Sequence, residues 1–397
     1  MRCERTAGYT ARYTLIQGLD WSAFAVIWVY VVVLLRGYGM SYGQAGVVTA
    51  LANILAVLAQ QRFSAWVDRT DGVSGGKAAI GLMAFGTAIA LLFLLAGPGG
   101  ALTAGVCFCL IGVTIMGVQP FINTIAMERV QRGQNLNYGL ARGTGSVCYA
   151  LASASAGLIL KYFGSNGLLT AYILLNLAGI CAVRSFSADM RKVSEERRGE
   201  GLLSAAALLR RRPRFCWFLA ASVLLYTAHM MATTYMDAVV YRAGGTEAEL
   251  GLAVAAGAAA ELPAMALLQR IRGRFSAKQI LLFSAAAFVV KLLCLAAAAS
   301  MIWVYLARLL QFAEYGIFTG MSVYYVADII EPANQTKGQA MCYSASTLGA
   351  VFGNYAGGVL IEHFGVGNAM LMGALLASAG LLLLTLCFEK DAGPAKV

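Results

Sequence analysis

A few ionisable side chains stand inside long apolar stretches of the sequence, where a charge costs about 2.5–3.5 kcal/mol by insertion scales. Such charges are retained mainly where they line a polar cavity or pair with one another. The residues of this kind are Asp20, Arg142, Asp237, Glu261, Lys291, Arg308 and Glu314. We therefore expect proton exchange or solute contact at these positions.

The segment from Arg308 to Tyr315 holds the densest group of polar residues. Helical spacing predicts that Arg308, Gln311 and Tyr315 share one face, with Glu314 at its edge. A carboxylic acid in an apolar cavity favours its neutral form, whereas a nearby cation favours the charged form. A movement of Arg308 or Lys291 relative to Glu314 could therefore load and release a proton. The alternative is a static buried ion pair that only fixes helix packing.

Glu261 is a second candidate for proton coupling. It lies after a row of alanines and two residues before Pro263. Small residues let helices approach closely, and a proline kink can open a cavity. We predict a solute-binding or proton-coupling role for Glu261; a purely structural pair with Lys291 is the alternative.

Arg142, Ser146 and Tyr149 form the predicted solute-binding face. Their spacing of i, i+4 and i+7 places them on one side of a helix. Asp20 and Glu128 are further polar candidates for this site. The alternative for Arg142 is that it only anchors the end of the helix by extending to the membrane surface.

The sequence gives no indication of a metal, a cofactor or an enzyme active site. The nine cysteines have no paired spacing, and no zinc-protease, Walker-type or nucleophile-elbow motif is present. The two histidines, His229 and His363, stand alone in the sequence, which favours packing roles. We therefore predict a protein that is not an enzyme and uses a proton gradient as its energy source.

The elements that must position these residues are membrane-spanning helices. Of the 397 residues, 59% are hydrophobic and 12% are charged. A helical span needs about 20 apolar residues. Apolar runs begin near residues 13, 43, 78, 101, 138 and 166, and again near 215, 247, 279, 301, 339 and 367. The predicted fold is all-α, with twelve transmembrane helices in two six-helix bundles.

The basic residues predict the orientation of the chain. Cytoplasmic loops carry an excess of Lys and Arg, and an even number of spans puts both termini on the cytoplasmic side of a bacterial inner membrane. The net charge of +11 is spread over short loops, so nucleic-acid binding is not expected. The predicted bundles cover residues 1–190 and 214–397, joined by a linker at 191–213 with a short interfacial helix around Leu202 to Leu209.

Short polar motifs recur in both halves at a spacing of about 200 residues, as a duplicated six-helix unit predicts. The matched positions are Asp68, Arg69, Gly72, Lys77 and Glu128 in the first half, and Arg270, Gly273, Lys278 and Glu331 in the second.

With these motifs the chain resembles the major facilitator superfamily, and within it the branch of lactose permease, phenylpropionate permease and nucleoside:proton symporters. The similarity runs from about Arg12 to Phe388. The resemblance implies that Glu314 alternately holds and releases the coupling proton, and that Lys291 takes the place of an arginine that drives deprotonation. It also implies that Gln311 replaces a histidine.

The same resemblance assigns solute contacts to Arg142 and Tyr149, and a conformational-switch loop to Asp68, Arg69 and Lys77. Thr124 stands where the galactoside permease of this branch has a solute-binding glutamate. Met231, Thr234 and Ser346 replace its two aspartates and their lysine partner, which argues against a galactoside as the solute.

The expected function is proton-coupled uptake of a sugar, nucleoside or aromatic acid by alternating access. The expected partners are the solute, protons and the lipid bilayer, and we expect a monomer. Proton-antiport efflux of amphipathic compounds is one alternative. A membrane sensor or receptor that binds without transport is another.

Overall fold

The computed structural model describes residues 2–70, 73–97, 99–132, 134, 136–187, 205–331 and 334–389. Every regular element in these ranges is a helix. Eight helical stretches there are long and apolar enough to cross a membrane, judged by length and composition. Many large apolar side chains on their surfaces are exposed, as a lipid environment requires.

The first half of the chain supplies six passes. Its helices are α1 (Arg2–Trp28), α2 (Val31–Gly37), α3 (Tyr42–Arg69), α4 (Gly75–Ala96), α5 (Ala101–Gln131) and α6 (Tyr138–Ser187). Helices α1 and α2 together form the first pass. Helix α6 turns at Gly164, whose φ of 64° lies in the left-handed region that glycine adopts without strain. It therefore contains the fifth and sixth passes.

The second half repeats this pattern. Its helices are α7 (Ala205–Arg211), α8 (Pro213–Thr234), α9 (Met236–Arg242), α10 (Glu247–Arg272), α11 (Ala277–Ala297), α12 (Met301–Leu309), α13 (Tyr315–Ile329) and α14 (Gln335–Glu389). Helices α8 and α9 form one pass, and so do α12 and α13. Helix α14 turns at Gly365, where φ is 78°. Helix α7 overlaps the predicted interfacial helix from Ala205 to Leu209 and continues to Arg211, whereas Leu202 and Leu203 are outside the described residues.

Serine side chains begin the third pass of each half. The Ser74 hydroxyl accepts a hydrogen bond from the Lys77 backbone N–H before α4, and Ser276 accepts one from Gln279 before α11. These caps satisfy amide groups that the first helical turn leaves without partners. The equivalent caps and the equivalent glycine turns, each about 200 residues apart, agree with the duplication predicted from the sequence.

The continuous helix predicted through Arg308 to Tyr315 is wrong, because the tenth pass breaks there. A 3₁₀ turn covers Leu310–Phe312, and Ala313 and Glu314 form a turn before helix α13 begins at Tyr315. The Ser284 hydroxyl of α11 lies 2.7 Å from the carbonyl oxygens of both Ala313 and Glu314. A hydroxyl from a neighbouring helix thus replaces part of the hydrogen bonding that the break removes.

The chain divides into two compact units, one of residues 1–195 with 246–258 and the other of residues 196–245 with 259–397. In the first unit, α1 packs mainly against α6, and the Tyr30 hydroxyl lies 2.9 Å from the Ser153 carbonyl oxygen and 3.2 Å from that of Glu247. In the second unit, α8 packs mainly against α14. The first helix of each half therefore has an equivalent packing partner.

Candidate functional site

Glu314 is the centre of a buried polar cluster in the second unit, and its side chain is 1% exposed. One carboxylate oxygen accepts a hydrogen bond from Lys291 Nζ at 2.9 Å. The other contacts Nδ1 of His229 on α8. The break in the tenth pass brings Glu314 between these two side chains, so both oxygens of its carboxylate have partners.

Gln311 extends this cluster to Glu261. Lys291 Nζ donates a hydrogen bond to Gln311 Oε1 at 3.2 Å, and Gln311 Nε2 donates one to a carboxylate oxygen of Glu261. The cluster therefore forms a continuous hydrogen-bonded chain from His229 through Glu314, Lys291 and Gln311 to Glu261. A change at one end can reach the other end through direct contacts.

Arg308 completes the charge balance of this cluster. It is 1% exposed and interacts electrostatically with both Glu261 and His229. Two cations and two carboxylates thus lie together. Charges can remain in an apolar interior only when they are paired and hydrogen-bonded, and removing one partner leaves the other at high cost.

His229 is the member of the cluster that was not predicted from the sequence. Its ring stacks on Tyr315, with centroids 4.5 Å apart and an interplanar angle of 15°. Its Nε2 atom lies 3.3 Å from Thr233 Oγ1. One sequence pattern could have indicated a role for His229. His229 and Thr233, spaced i, i+4, place two polar side chains on one face of a mainly apolar helix.

A second polar cluster lies in the first unit, around Arg142. The Arg142 guanidinium donates to Ser146 Oγ at 3.0 Å and lies over the Trp21 ring at 4.3 Å. The Tyr149 ring is close to both Trp21 and Phe24, with centroid distances of 6.1 and 6.2 Å. This cluster offers a cation and three aromatic faces, which suit the apolar faces and polar edges of a small organic solute.

Asp20 lies one residue before Trp21 and accepts a hydrogen bond from Gln119 Nε2. Trp21 is itself held by its neighbours, because its Nε1 donates to Gln17 Oε1 at 3.1 Å, and Gln17 Nε2 donates to the Tyr13 hydroxyl oxygen at 2.7 Å. The predicted residues Asp20, Arg142, Ser146 and Tyr149 are therefore in one region. Trp21 and Gln119 were missed, because neither residue type is unusual on an apolar helix.

The other predicted solute residues lie farther along α5. The Thr124 hydroxyl donates to the Pro120 carbonyl oxygen of its own helix at 2.9 Å, and Glu128 is half-buried one turn beyond. In the predicted switch loop, Lys77 is exposed in the first turn of α4, and the side chains of Asp68 and Arg69 lie outside the described residues. The described part of the chain contains no group of three or more His, Cys, Asp or Glu side chains that could hold a metal ion.

Two ion pairs lie at exposed helix ends of the second unit. Arg212 donates a hydrogen bond to Glu331, which lowers the pKa of that carboxyl below its usual range. Arg272 donates to Asp328 at 2.8 Å and covers the Tyr324 ring at 4.4 Å. Exposed pairs of this kind contribute little to stability. Variants of these pairs are therefore suitable controls for variants of the buried cluster.

The described residues form twelve helical passes in two equivalent sets, with buried ionisable clusters inside them, which is the architecture of a polytopic membrane protein. The chain belongs to the MFS_1 like family, whose model matches residues 19–372. This membership confirms the resemblance to the major facilitator superfamily. The chain is therefore a secondary transporter and not an enzyme, and the sensor interpretation is not retained.

Two bacterial proteins are similar to this chain over most of its length. The maltose permease of Geobacillus stearothermophilus is 27% identical over 393 residues, covering 97% of this chain and 96% of that protein. The probable 3-phenylpropionic acid transporter of Escherichia coli (strain K12) is 27% identical over 306 residues, covering 74% and 77%.

Solved structures share the fold. The nucleoside transporter NupG aligns with a TM-score of 0.79 at 14% identity, covering 97% of this chain and all of that one. A bacterial homologue of the lysosomal transporter Spinster, in an inward-facing conformation, aligns with a TM-score of 0.71 at 14% identity, covering 98% and 99%. The predicted all-α membrane fold is therefore confirmed.

Proposed function

We propose that this protein couples the inward movement of protons to uptake of a small organic solute, with Glu314 as the proton carrier. The observation that carries the proposal is the buried Glu314 carboxylate shared between Lys291 and His229. A carboxylate with two such partners is in its ionised form. Proton binding would neutralise it and weaken both contacts, which makes the arrangement sensitive to protonation.

The remaining cluster residues give the released Lys291 another partner. Lys291 already donates to Gln311, and Gln311 donates to Glu261. When Glu314 takes up a proton, Lys291 can turn toward Glu261 along this chain without losing all of its hydrogen bonds. The exchange of partners changes the packing of four passes, which is the kind of change that alternating access requires.

On the solute side, we propose that Arg142, Trp21 and Tyr149 contact the transported molecule, with Asp20, Ser146 and Gln119 nearby. Guanidinium and amide groups bind hydroxyl or carboxylate oxygens, and aromatic rings cover apolar faces. The similarity to a maltose permease over nearly the full length supports a sugar, and the similarity to a phenylpropionic acid transporter supports an aromatic acid. Maltose and 3-phenylpropionate are therefore the first probes.

We also propose a bacterial inner-membrane location with both termini in the cytoplasm, two bundles at 1–190 and 214–397 joined by the linker 191–213, and a monomeric carrier. The basic residues between the bundles, including Arg210 and Arg211, support this orientation. A C-terminal green fluorescent protein should fluoresce. A C-terminal alkaline phosphatase should be inactive, and an active one would contradict the orientation.

The test of proton coupling is Glu314→Gln in proteoliposomes. The variant should lose accumulation of the labelled probe against its gradient but keep exchange of probe across equal gradients, because glutamine cannot release a proton. Glu331→Gln is the matched control, since Glu331 is exposed at a helix end and should leave accumulation unchanged. Undiminished accumulation in Glu314→Gln refutes the assignment.

The external pH of a vesicle suspension distinguishes symport of solute and proton from antiport. Adding probe outside vesicles that carry no gradient should make the external medium more alkaline, because solute and proton enter together. Acidification would instead establish the alternative, proton-antiport efflux. Both outcomes require the wild-type protein only.

A further inference from the structure

A small cavity lies in the first unit between α1, α4, α5 and the second pass of α6. It has room for about one water molecule. Its polar lining comes from Asp20, Thr114, Tyr172 and Asn176, and the rest of its wall is apolar. A polar cavity of this size inside a transmembrane bundle needs an occupant that satisfies its walls.

Asp20 supplies the carboxyl group of this cavity and is 6% exposed. Gln119 donates a hydrogen bond to it, but among the described residues no cation lies within 4.0 Å of its carboxylate. Arg142 interacts with Asp20 electrostatically, but its guanidinium donates to Ser146 and lies over the Trp21 ring. An ionised carboxylate buried with a neutral donor alone is costly, so this geometry favours a neutral Asp20.

The groups around Asp20 come from every packed element. Tyr13 lies on the same helix, Gln119 on α5, Arg142 on the first pass of α6 and Tyr172 on the second. The α4 contribution to the cavity is the apolar Met83. Arg142 is the one permanent charge in this set, so its position decides whether Asp20 can ionise.

Asn176 indicates what fills the cavity beside Asp20. It is 5% exposed and lines the cavity, where it interacts with the Tyr172 hydroxyl, but no protein atom accepts a hydrogen bond of normal length and angle from its amide nitrogen. The Thr114 hydroxyl is already used by the Ile111 carbonyl oxygen at 2.8 Å. An occupant must therefore accept from an N–H group and also face a carboxyl group. Water can do both, whereas a metal cation would be repelled by the N–H group.

We propose that Asp20 is a second proton-binding carboxyl, linked to Asn176 through one buried water, so that the carrier moves two protons with each solute. The proposal rests on the proposed proton coupling at Glu314. With Asp20 protonated, Arg142 is free to bind an oxygen of the solute. When the solute leaves, Arg142 can turn to Asp20 and displace its proton. Proton and solute binding thereby favour each other.

The first test needs no solute. Infrared spectra of purified wild type and Asp20→Asn in lipid at pH 7 should differ by one protonated carboxyl band that shifts in heavy water. Asp328→Asn, at an exposed ion pair, should not remove such a band. A difference spectrum that contains only ionised carboxylate bands overturns the proposal. An ionised band that shifts when sodium is added also overturns it, in favour of a metal cation.

The second test measures how accumulation of labelled maltose or 3-phenylpropionate depends on membrane potential. Each transported charge contributes about 50-fold to the accumulation ratio at 100 mV. Asp20→Asn, shown to be folded by a circular dichroism spectrum equal to that of wild type, should accumulate about 50-fold less than wild type at this potential. If Asp20→Asn depends on membrane potential as wild type does, the proposal of a second transported proton is wrong. The role of Glu314 as proton carrier is not affected by that result. Full accumulation by Glu314→Gln would instead overturn the proposed function.

Discussion

The buried pair between Lys291 and Glu314 gives the sharpest prediction for stability. Both side chains are 1% exposed, and the two charged atoms are 2.9 Å apart. Lys291→Met leaves Glu314 ionised in an apolar interior with His229 as its remaining hydrogen-bond partner in the cluster. Removing one member of a buried pair costs about 3–5 kcal/mol. The lost hydrogen bond to Gln311 adds about 0.5–1.5 kcal/mol.

The double variant Lys291→Met/Glu314→Gln should be more stable than Lys291→Met alone. Neutralising the second partner removes the unpaired charge, and replacing both members of a buried pair is often neutral. We therefore expect the double variant to lie within about 2 kcal/mol of wild type. The coupling energy of the cycle should be at least about 2 kcal/mol.

The assay is equilibrium unfolding in mixed detergent micelles, followed by circular dichroism for wild type, both single variants and the double variant. The same cycle on Arg272→Met and Asp328→Asn is the control, because this exposed pair should show a coupling of about 1 kcal/mol or less. A double variant less stable than Lys291→Met refutes the reasoning. So does a coupling energy equal to that of the surface pair.

Three further variants test the structure at other points. Ser284→Ala should destabilise the protein by about 1–3 kcal/mol, because the Ala313 carbonyl oxygen at the break in the tenth pass loses its donor; chemical unfolding measures this, and an unchanged midpoint would contradict it. His229→Gln should retain more of the proton-driven accumulation than His229→Ala, since glutamine can still donate to Glu314; equal activities would exclude a hydrogen-bonding role. Arg142→Lys should raise the KM for the transported probe about tenfold while kcat changes less, because the contact with Trp21 weakens by about 1–2 kcal/mol; an unchanged KM would separate Arg142 from the solute.

The sequence predicted the helical passes well because each is a long apolar run with a polar boundary. Charged residues inside those runs also led directly to Glu314, Lys291 and Glu261, since a charge in a span needs a reason to be there. These signals are local. They require no knowledge of which helices are neighbours.

Contacts between residues far apart in the sequence could not be predicted from local patterns. His229 and Glu314 are 85 positions apart, and Asp20 and Gln119 are 99 apart. The break in the tenth pass could not be predicted from local patterns either. No glycine or proline occurs from residue 309 to 315, and the hydroxyl that contacts the carbonyl oxygens at the break belongs to Ser284 of another helix. Only the packing of the helices makes these partners available.

The glycine turns at Gly164 and Gly365 also affect how the protein is made. Each joins two long apolar helices through a single non-helical residue. Because so short a connection cannot hold one helix away from the next, we expect each pair to leave the translocation machinery together as a helical hairpin. A pause in translation just after either glycine would then leave one apolar helix without its partner, so we expect synthesis and membrane insertion to be closely linked at these two points.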